Sequence, residues 1–500
     1  MGAVIFITCL GVAITVVWAD RGSGVVAGKQ ERYEPELFYP PNTADRITIL
    51  NLLNNRKYSE LNEKLASLQA AFEEDVRNEY ILADSFDAFE IPDPSIEPFL
   101  NEWIDSFPKH FAPHTARALY RYSRGYKYRG TEWASDTSEE QFRQMHGYFV
   151  LAKEDIHKAL TINPKILSAH LLLINIARTG GSNWESNAAF EAAMRVKPES
   201  MILRSAYMHC LTPRWGGNYR AMARFASESD ELMNRNPSLV VLRGYIDWDK
   251  GRSLASDGNR DEALKSYNRA LSFGTSVLFL EYRATTHYNL KMRDEARKDV
   301  ERMLAIQPQS LGAIALRGTL RAVDNNFREA LDDFRMVESI DREDSDLLRW
   351  RKVAASELVR KGYDLRKTDP EKAIEIYSQA ILMDPGYSRS FYYRAWNYQA
   401  GKDFDNALRD LKEAIRLEPG YYSSYELLDS VLTRQKRWDE IIHYWDQFIA
   451  LEPSNGKAYL ERGGAYYQKG DRVAALRDTK KACESGNPDG CQQFQRLGGH

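Results

Sequence analysis

Few residues in this 500-residue sequence stand at spacings that suit catalysis or metal binding. His110 and His114 are four residues apart, a spacing that could place two ligands on one helix face, but Pro113 interrupts such a helix at its start. The sequence contains no glycine-rich phosphate loop, no His-Glu-x-x-His motif and no Gly-x-Ser-x-Gly motif. We therefore expect a solvated loop at the two histidines, no metal or other cofactor, and no enzymatic activity.

The turn Pro-Arg-Trp-Gly-Gly, residues 213–217, is the strongest isolated candidate for ligand contact. In a structural interpretation, Pro213 ends a helix, the two glycines allow a tight turn, and Trp215 covers a hydrophobic groove with Arg214 stacked on an aromatic face. In a functional interpretation, the glycines let the backbone approach a ligand that Arg214 and Trp215 contact. A small-ligand receptor or a hidden enzyme would be centred here.

Charged side chains are abundant but balanced, because 68 Lys and Arg residues stand against 71 Asp and Glu residues and leave a net charge of −3. This balance excludes a nucleic-acid binder that depends on bulk positive charge. Adjacent carboxylates at Glu73–Glu74 and Asp332–Asp333 fall on polar helix faces, where we expect water to solvate them. We expect a protein or peptide partner.

The N-terminal 19 residues carry no charged side chain, and a Gly- and Pro-containing stretch follows to residue 44. The apolar run of residues 3–19 is close to the lower limit for a membrane-spanning helix and a little long for a signal peptide. We predict a signal peptide or membrane anchor at 1–19, a linker at 20–44, and export of the chain. Whether the leader is cleaved stays open.

A period of about 34 residues organises the rest of the chain. A small or apolar residue leads each unit, and in four units a helix-stopping proline follows twelve residues later. The lead residues are Ala263, Ala296, Ala330, Ala373, Ala407, Ile441 and Ala475. A second helix precedes each lead with a bulky–small–bulky row, such as Phe391, Ala395 and Tyr398, which allows close helix packing.

This pattern resembles the tetratricopeptide repeat, over residues 247–490. The resemblance implies an all-α, right-handed solenoid of helical hairpins, with repeats assigned to 246–490 and a tail at 491–500. Residues 45–245 are predicted to form a helical region that caps the array and contains degenerate repeats. That region, above all its residues 213–217, resembles the bacterial Domain of Unknown Function 4034 family. The family has no established activity, so the resemblance predicts architecture and no chemistry.

The last unit, ACESGNPDGC, resembles the Sel1-like repeats of secreted bacterial proteins. In those repeats a cysteine pair bridges two helices, so the resemblance implies a disulfide between Cys483 and Cys491. If the leader exports the chain to the periplasm, or holds it at the inner membrane facing the periplasm, that compartment favours the bridge. Cys210 occupies a core position of the repeat and is expected to be a buried thiol.

In the tetratricopeptide family, the first helix of each pair lines the concave surface of the solenoid. Units starting at Ser388, Tyr422 and Gly456 place eight side chains there by resemblance, namely Arg389, Tyr392, Trp396, Gln399, Glu426, Arg434, Lys457 and Tyr467. We predict that this groove binds a peptide or helix, and that the protein is a non-catalytic scaffold of the bacterial cell envelope. Two alternatives stay open: Tyr392 and Trp396 only pack against the next unit, or the repeats pack together in an oligomer. Gln399 and Ser430 stand where asparagines would hold a carboxylate, so recognition of a free C-terminus is not predicted.

Overall fold

A computed structural model describes residues 46–130, 136–180 and 183–499 of the chain. The predicted leader at 1–19 and linker at 20–44 lie outside the described residues. In the described ranges every regular element is a helix, which confirms the predicted all-α class. None of the helices in those ranges is long and apolar enough to cross a membrane.

The α-helices follow one another with short connections. In chain order they are α1 (Arg46–Asn54), α2 (Tyr58–Glu74), α3 (Glu79–Phe86), α4 (Glu97–Ser106), α5 (Phe111–Arg129), α6 (Glu139–Ile162), α7 (Leu167–Gly180), α8 (Asn183–Val196), α9 (Met201–Cys210), α10 (Tyr219–Ser229), α11 (Tyr245–Ser256), α12 (Arg260–Phe273), α13 (Val277–Asn289), α14 (Arg293–Ile306), α15 (Leu311–Val323), α16 (Phe327–Ile340), α17 (Ser345–Leu365), α18 (Pro370–Met383), α19 (Ser388–Ala400), α20 (Phe404–Leu417), α21 (Tyr422–Arg434), α22 (Trp438–Leu451), α23 (Gly456–Lys469), α24 (Arg472–Glu484) and α25 (Pro488–Arg496). Short 3₁₀ helices, including Pro213–Trp215 and Pro237–Gly244, connect some of them.

From α11 to α24 the helices form seven consecutive pairs, and the second helix of each pair also packs on the first helix of the next. We call the first helix of each pair the A helix and the second helix the B helix. The seven predicted lead residues all lie in B helices and are at most 1% exposed. The predicted unit starts Ser388, Tyr422 and Gly456 are the first residues of α19, α21 and α23. The nine-residue insertion lengthens an A helix as predicted, because α17 has 21 residues.

In the hairpins α15–α16 and α17–α18, a glycine of the A helix accepts an aromatic side chain of the B helix. A Cβ atom added at Gly362 would lie 2.5 Å from the ring of Tyr377, and one added at Gly318 would lie 2.9 Å from the ring of Phe334. Those distances are shorter than van der Waals contact, so the rings reach the A-helix backbone only because a glycine stands opposite. The small residue of the bulky–small–bulky row therefore sets the spacing within these two pairs.

A buried ion pair also joins the two helices of four hairpins, between an arginine of the A helix and an aspartate of the B helix 16 residues later. The pairs are Arg283–Asp299, Arg317–Asp333, Arg394–Asp410 and Arg462–Asp478. The expectation that Asp332–Asp333 is solvated is therefore wrong for Asp333, which is only 4% exposed and binds Arg317 and Arg321. Glu73 likewise accepts hydrogen bonds from Gln69 and Lys165.

The N-terminal helices contact the first repeats and also reach across to the middle of the array. The backbone N–H of Arg46 donates to Oε1 of Gln309 at 2.8 Å, and Gln307 donates to Asp84 at 2.6 Å. The hydrophobic core of the N-terminal helices includes Ile340 of α16, and Leu311 of α15 packs against it. Helices α1 to α16 therefore close into a ring, whereas α17 to α25 continue as an open array.

Two predicted boundaries differ from the packing. No gap exists at residue 245, because one hydrophobic core runs from Met201 to Ala313 and joins the two sides. The segment assigned to a tail from residue 491 instead contains most of α25, which begins at Pro488 and packs on α24. A disulfide joins Cys483 in α24 to Cys491 in α25 and ties the last two helices together. Cys210 is a buried free thiol.

Candidate functional site

Trp396 in α19 is one of the predicted groove residues, and 37% of its surface is exposed. Its ring centroid lies 6.1 Å from that of Tyr363 in α17 and 6.2 Å from that of Tyr393. The guanidinium of Arg366 lies 3.4 Å from the Tyr363 ring centroid and 5.4 Å from that of Trp396. We call Tyr363, Arg366, Tyr393 and Trp396 the aromatic cluster. Of its four members, the sequence predicted only Trp396 as a groove residue.

Arg389 is already engaged within the protein. Its guanidinium forms a salt bridge with Glu418 at 3.1 Å and lies 3.5 Å from the ring centroid of Tyr421. The hydrogen bond to Glu418 raises the pKa of Arg389 above its usual value. Tyr392 packs edge-to-face on the same Tyr421, with ring centroids 5.3 Å apart. These two side chains therefore order the junction between α19 and the turn before α21. Of the two residues in the packing alternative, Tyr392 contacts the next unit in this way.

Polar groups follow along the neighbouring A helices. Gln399 donates a hydrogen bond to the hydroxyl of Ser430 at 2.8 Å. Burial, then the charges of Asp429 and Glu426, raise the pKa of Glu461 to about 7, while Lys457 opposes that rise. Glu426, Asp429 and Glu461 thus form an acidic cluster on α21 and α23, the A helices that follow α19.

The two remaining predicted groove residues lie at the C-terminal ends of their helices. Arg434 is the last residue of α21, and Tyr467 is near the end of α23 with 52% of its surface exposed. Neither belongs to the aromatic or the acidic cluster. The structure therefore places Arg389 and Tyr392 at an internal junction, Trp396 in the aromatic cluster and Glu426 in the acidic cluster. The other four predicted residues lie outside these groups.

The geometry of the turn at residues 213–217 agrees with its structural interpretation, and ligand contact there stays a prediction. Gly216 has a φ of 84°, and a Cβ atom added at Gly217 would lie 2.1 Å from the carbonyl oxygen of Leu211, so both glycines are required by the turn. The ring centroid of Trp215 lies 5.8 Å from the guanidinium of Arg214. It also lies 5.7 Å from the guanidinium of Arg178, which the sequence did not indicate.

A third arginine stands on the next A helix. The guanidinium of Arg252 lies 5.4 Å from the ring centroid of Trp248, and the His209 ring lies 5.0 Å from the same indole. Burial, then the charges of Arg178 and Arg252, lower the pKa of His209 to about 3. We call Arg178, Arg214 and Arg252 the arginine wall. Its members come from α7, from the 3₁₀ turn after α9 and from α11, up to 74 residues apart in sequence, so the tertiary packing of these elements brings them together.

A cavity of about 830 Å³ lies between the segment 75–81 and the N-terminal ends of α9 and α13. Glu79 is 1% exposed at its edge and accepts hydrogen bonds from the backbone N–H groups of Met201 and Ile202. Burial raises the pKa of Glu79 to about 7. Ser205 lines the cavity one helical turn before His209, so the cavity lies along the same helix face as the arginine wall.

The two histidines set aside in the sequence have structural roles. The ring of His110 accepts a hydrogen bond from the backbone N–H of Ala112 and begins α5, and His114 contacts the carbonyl oxygen of Pro108. Pro113 lies in the first turn of α5, where its missing N–H costs no helical hydrogen bond. The predicted loop at these residues is therefore wrong for His114, which is helical and 4% exposed.

Two family profiles match separate parts of the chain. Residues 45–187 match a domain of unknown function (DUF4034), and residues 389–421 match the tetratricopeptide repeat. The first match spans α1 to α7, and the second spans the α19–α20 hairpin that carries Trp396. The first match ends before residues 213–217, so the turn on which that resemblance mainly rested lies outside it. The second match covers one unit of the predicted repeats, and the tetratricopeptide-type solenoid is confirmed.

Curated relatives match parts of the chain at low identity. The mitochondrial import receptor subunit TOM70 of Homo sapiens is 20% identical over 269 residues, which are 52% of this chain and 44% of that protein. Sperm-associated antigen 1 of Mus musculus is 27% identical over 135 residues, which are 27% of this chain and 14% of that protein. The chain therefore spans less than half the length of these curated relatives.

Solved structures overlap with about a third of the chain. MamA is 22% identical, covers 34% of this chain and 95% of its own, and has a TM-score of 0.25. YrrB, described as a TPR protein with an unusual peptide-binding site, is 17% identical, covers 39% of this chain and 95% of its own, and has a TM-score of 0.26.

Proposed function

We propose that this tetratricopeptide repeat protein is a non-catalytic scaffold that binds a peptide or helix of a partner protein on the A helices of its open array. The observation that carries the proposal is the aromatic cluster, where Tyr363 and Trp396 are each 37% exposed beside Arg366. Large rings on a rigid helix give contact area at little cost in conformational entropy, and tryptophan and arginine are enriched among residues that dominate binding.

The acidic cluster favours a ligand that carries a positive charge. Glu426 is exposed on α21 and lies near Glu461, whose pKa is raised to about 7 because burial and the neighbouring carboxylates disfavour its charge. A cationic side chain placed between them would remove that repulsion and favour the ionised form. The proposed ligand therefore carries an apolar residue for the aromatic cluster and a Lys or Arg for the acidic cluster.

The proposal is tested with peptides selected from a random library on the purified chain. Fluorescence polarisation then compares binding by the wild type, by Trp396→Ala and by the matched control Trp184→Ala, whose side chain is 77% exposed on α8. We expect Trp396→Ala to weaken binding about tenfold or more and Trp184→Ala to leave it unchanged. Equal affinity for all three proteins would contradict the proposed groove.

We further propose that the chain is exported to the envelope of a bacterium. The disulfide between Cys483 and Cys491 supports this setting, because oxidising compartments preserve such bonds. Mass spectrometry of non-reduced peptides from the native host is the test. We expect a linked pair, and free thiols at both positions would remove the support.

A further inference from the structure

We propose that the arginine wall binds the oxyanion of a ligand, a carboxylate or a phosphate, beside the indole of Trp215. This site goes beyond the peptide groove of the open array and lies on different helices. It rests on the placement of three guanidiniums on two neighbouring aromatic rings.

The geometry concentrates donors on one surface. Arg178 and Arg214 lie 5.7 and 5.8 Å from the centroid of Trp215, and Arg252 lies 5.4 Å from the centroid of Trp248. Three buried donors of this surface, Nε of Arg178, Nε of Arg252 and Nε1 of Trp248, meet no protein acceptor within the described part of the chain. Trp248 itself is only 2% exposed, so bulk water does not replace an acceptor at its ring.

Two carboxylates lie near the arginine wall. Asp249 accepts a hydrogen bond from Arg252 at 2.7 Å and another from the Tyr219 hydroxyl at 3.1 Å. Glu90 lies near Arg178, and its side chain is exposed to solvent. Asp249 therefore pairs directly with Arg252, and an added anion would compete with it there.

The arginines also repel one another electrostatically. Burial, then the charge of Arg252, lower the pKa of Arg214, and Arg129 contributes in the same direction. Like charges held together in a partly enclosed site raise the local positive potential, which an anion relieves. A guanidinium offers two parallel N–H donors that match a carboxylate or phosphate, and the half-buried indole of Trp215 supplies an apolar surface for the body of the ligand.

The adjoining cavity sets the size of that body. Its volume of about 830 Å³ lies within the range that binds small molecules, and Ser205 and Tyr245 connect its lining to His209 and Trp248 one turn further along α9 and α11. Two sources of the oxyanion fit this space, namely a free small anion and the carboxylate of a peptide terminus.

Isothermal titration calorimetry of the full chain distinguishes these sources at constant ionic strength. One arm titrates inorganic phosphate and citrate, and the other titrates a tetrapeptide with a free C-terminus against its amidated form. The variant Arg214→Gln changes an exposed residue, and Arg220→Gln is a matched control on the neighbouring helix α10. Arg252→Gln is a second variant, with thermal melting recorded for all of them.

We expect a Kd on the order of 1 mM or tighter for at least one arm. Arg214→Gln and Arg252→Gln should weaken that binding tenfold or more, while Arg220→Gln leaves it unchanged. Binding of phosphate or citrate assigns a free anion, and binding of only the free-carboxylate peptide assigns a peptide terminus. The proposal is overturned if neither arm binds, or if Arg214→Gln binds as tightly as Arg220→Gln does.

Discussion

At the scale of single residues, the buried aspartates of the B helices show how a charge inside the solenoid is tolerated. Asp333 is 4% exposed and accepts hydrogen bonds from Arg317 at 2.8 Å and Arg321 at 2.7 Å, so its charge is paired twice. Asp332 beside it is exposed and pairs loosely with Arg335 at 3.6 Å. The two neighbours therefore offer a matched comparison of a buried and an exposed carboxylate.

Asp333→Ala is expected to lower the free energy of unfolding by about 1–3 kcal/mol, because it removes the charged hydrogen bonds of a buried carboxylate to two partly exposed arginines. Asp332→Ala is expected to change it by less than about 1 kcal/mol, since exposed ion pairs contribute little. Urea unfolding followed by circular dichroism measures both. Similar losses for the two variants would show that the recurrent Arg–Asp pair does not stabilise the hairpin.

The acidic cluster predicts a pH dependence with a definite sign. Because the pKa of Glu461 is about 7 in the folded state and near 4.5 when unfolded, the folded protein holds that proton more tightly. Stability from this group is therefore present below about pH 4.5 and is lost as the pH rises through 7. Glu461→Gln should be more stable than the wild type by about 1–3 kcal/mol at pH 8 and nearly equal to it at pH 5. Urea unfolding at the two pH values is the measurement, and a pH-independent difference would contradict this charge repulsion.

The sequence predicted the positions of the groove residues better than their partners. The period placed Trp396 on an A helix because a helix face repeats every 3.6 residues. It did not show that Arg389 is paired with Glu418, 29 residues later, since that contact joins a helix to the turn after the next helix. Arg178 was missed for the same reason, because its ring partner Trp215 follows two helices later.

At the scale of helices, the period predicted most boundaries because each hairpin repeats the same solution. Each unit contains a lead residue that is 0–1% exposed and a small A-helix residue, and some units also contain a helix-stopping proline. All of these residues lie within about 34 residues of one another. Local patterns of this kind fix where helices begin and end. The tail assigned from residue 491 was wrong because Pro488 starts a helix there, at the position where proline is best tolerated.

Leu411→Pro tests the modular nature of the open array. Leu411 is fully buried in the middle of α20, and proline there removes a hydrogen bond and clashes with the preceding turn, at a cost of about 3 kcal/mol or more. Hydrogen exchange should rise in α19 to α22 and stay low in α1 to α16. Leu411→Ala is the control that keeps the helix. Equal loss of protection across the whole chain would contradict a nearest-neighbour solenoid.

At the scale of the whole molecule, the closed ring could not be predicted from the sequence. The contacts that close it join residues more than 200 positions apart, such as Arg46 with Gln309 and Lys127 with Glu343. Such contacts follow from the superhelical path of the repeats and leave no period in the sequence. The fold of these first helices also brings the segment 75–81 to the ends of α9 and α13, where the cavity of about 830 Å³ lies.

Ile340→Ala tests ring closure. Ile340 is 5% exposed on α16 yet belongs to the core of the N-terminal helices, so its truncation should cost about 2–5 kcal/mol and loosen α1 across the ring. Ile449→Ala, at an 8% exposed position of α22, is the matched control. Hydrogen exchange of Arg46–Asn54 should rise only in the first variant. An unchanged rate there would mean that the ring contact does not stabilise α1.

The central claim is that the A helices of the open array hold a partner peptide, and site-specific photo-cross-linking locates that peptide most directly. A benzophenone side chain replaces Tyr467, which is 52% exposed on α23, or Trp184, which is 77% exposed on α8 and outside the array. After irradiation with a peptide selected on the wild-type chain, mass spectrometry identifies the adducts. We predict a peptide adduct at position 467 that excess unlabelled peptide suppresses, and none at position 184. An adduct at position 184 with none at position 467 would contradict the claim.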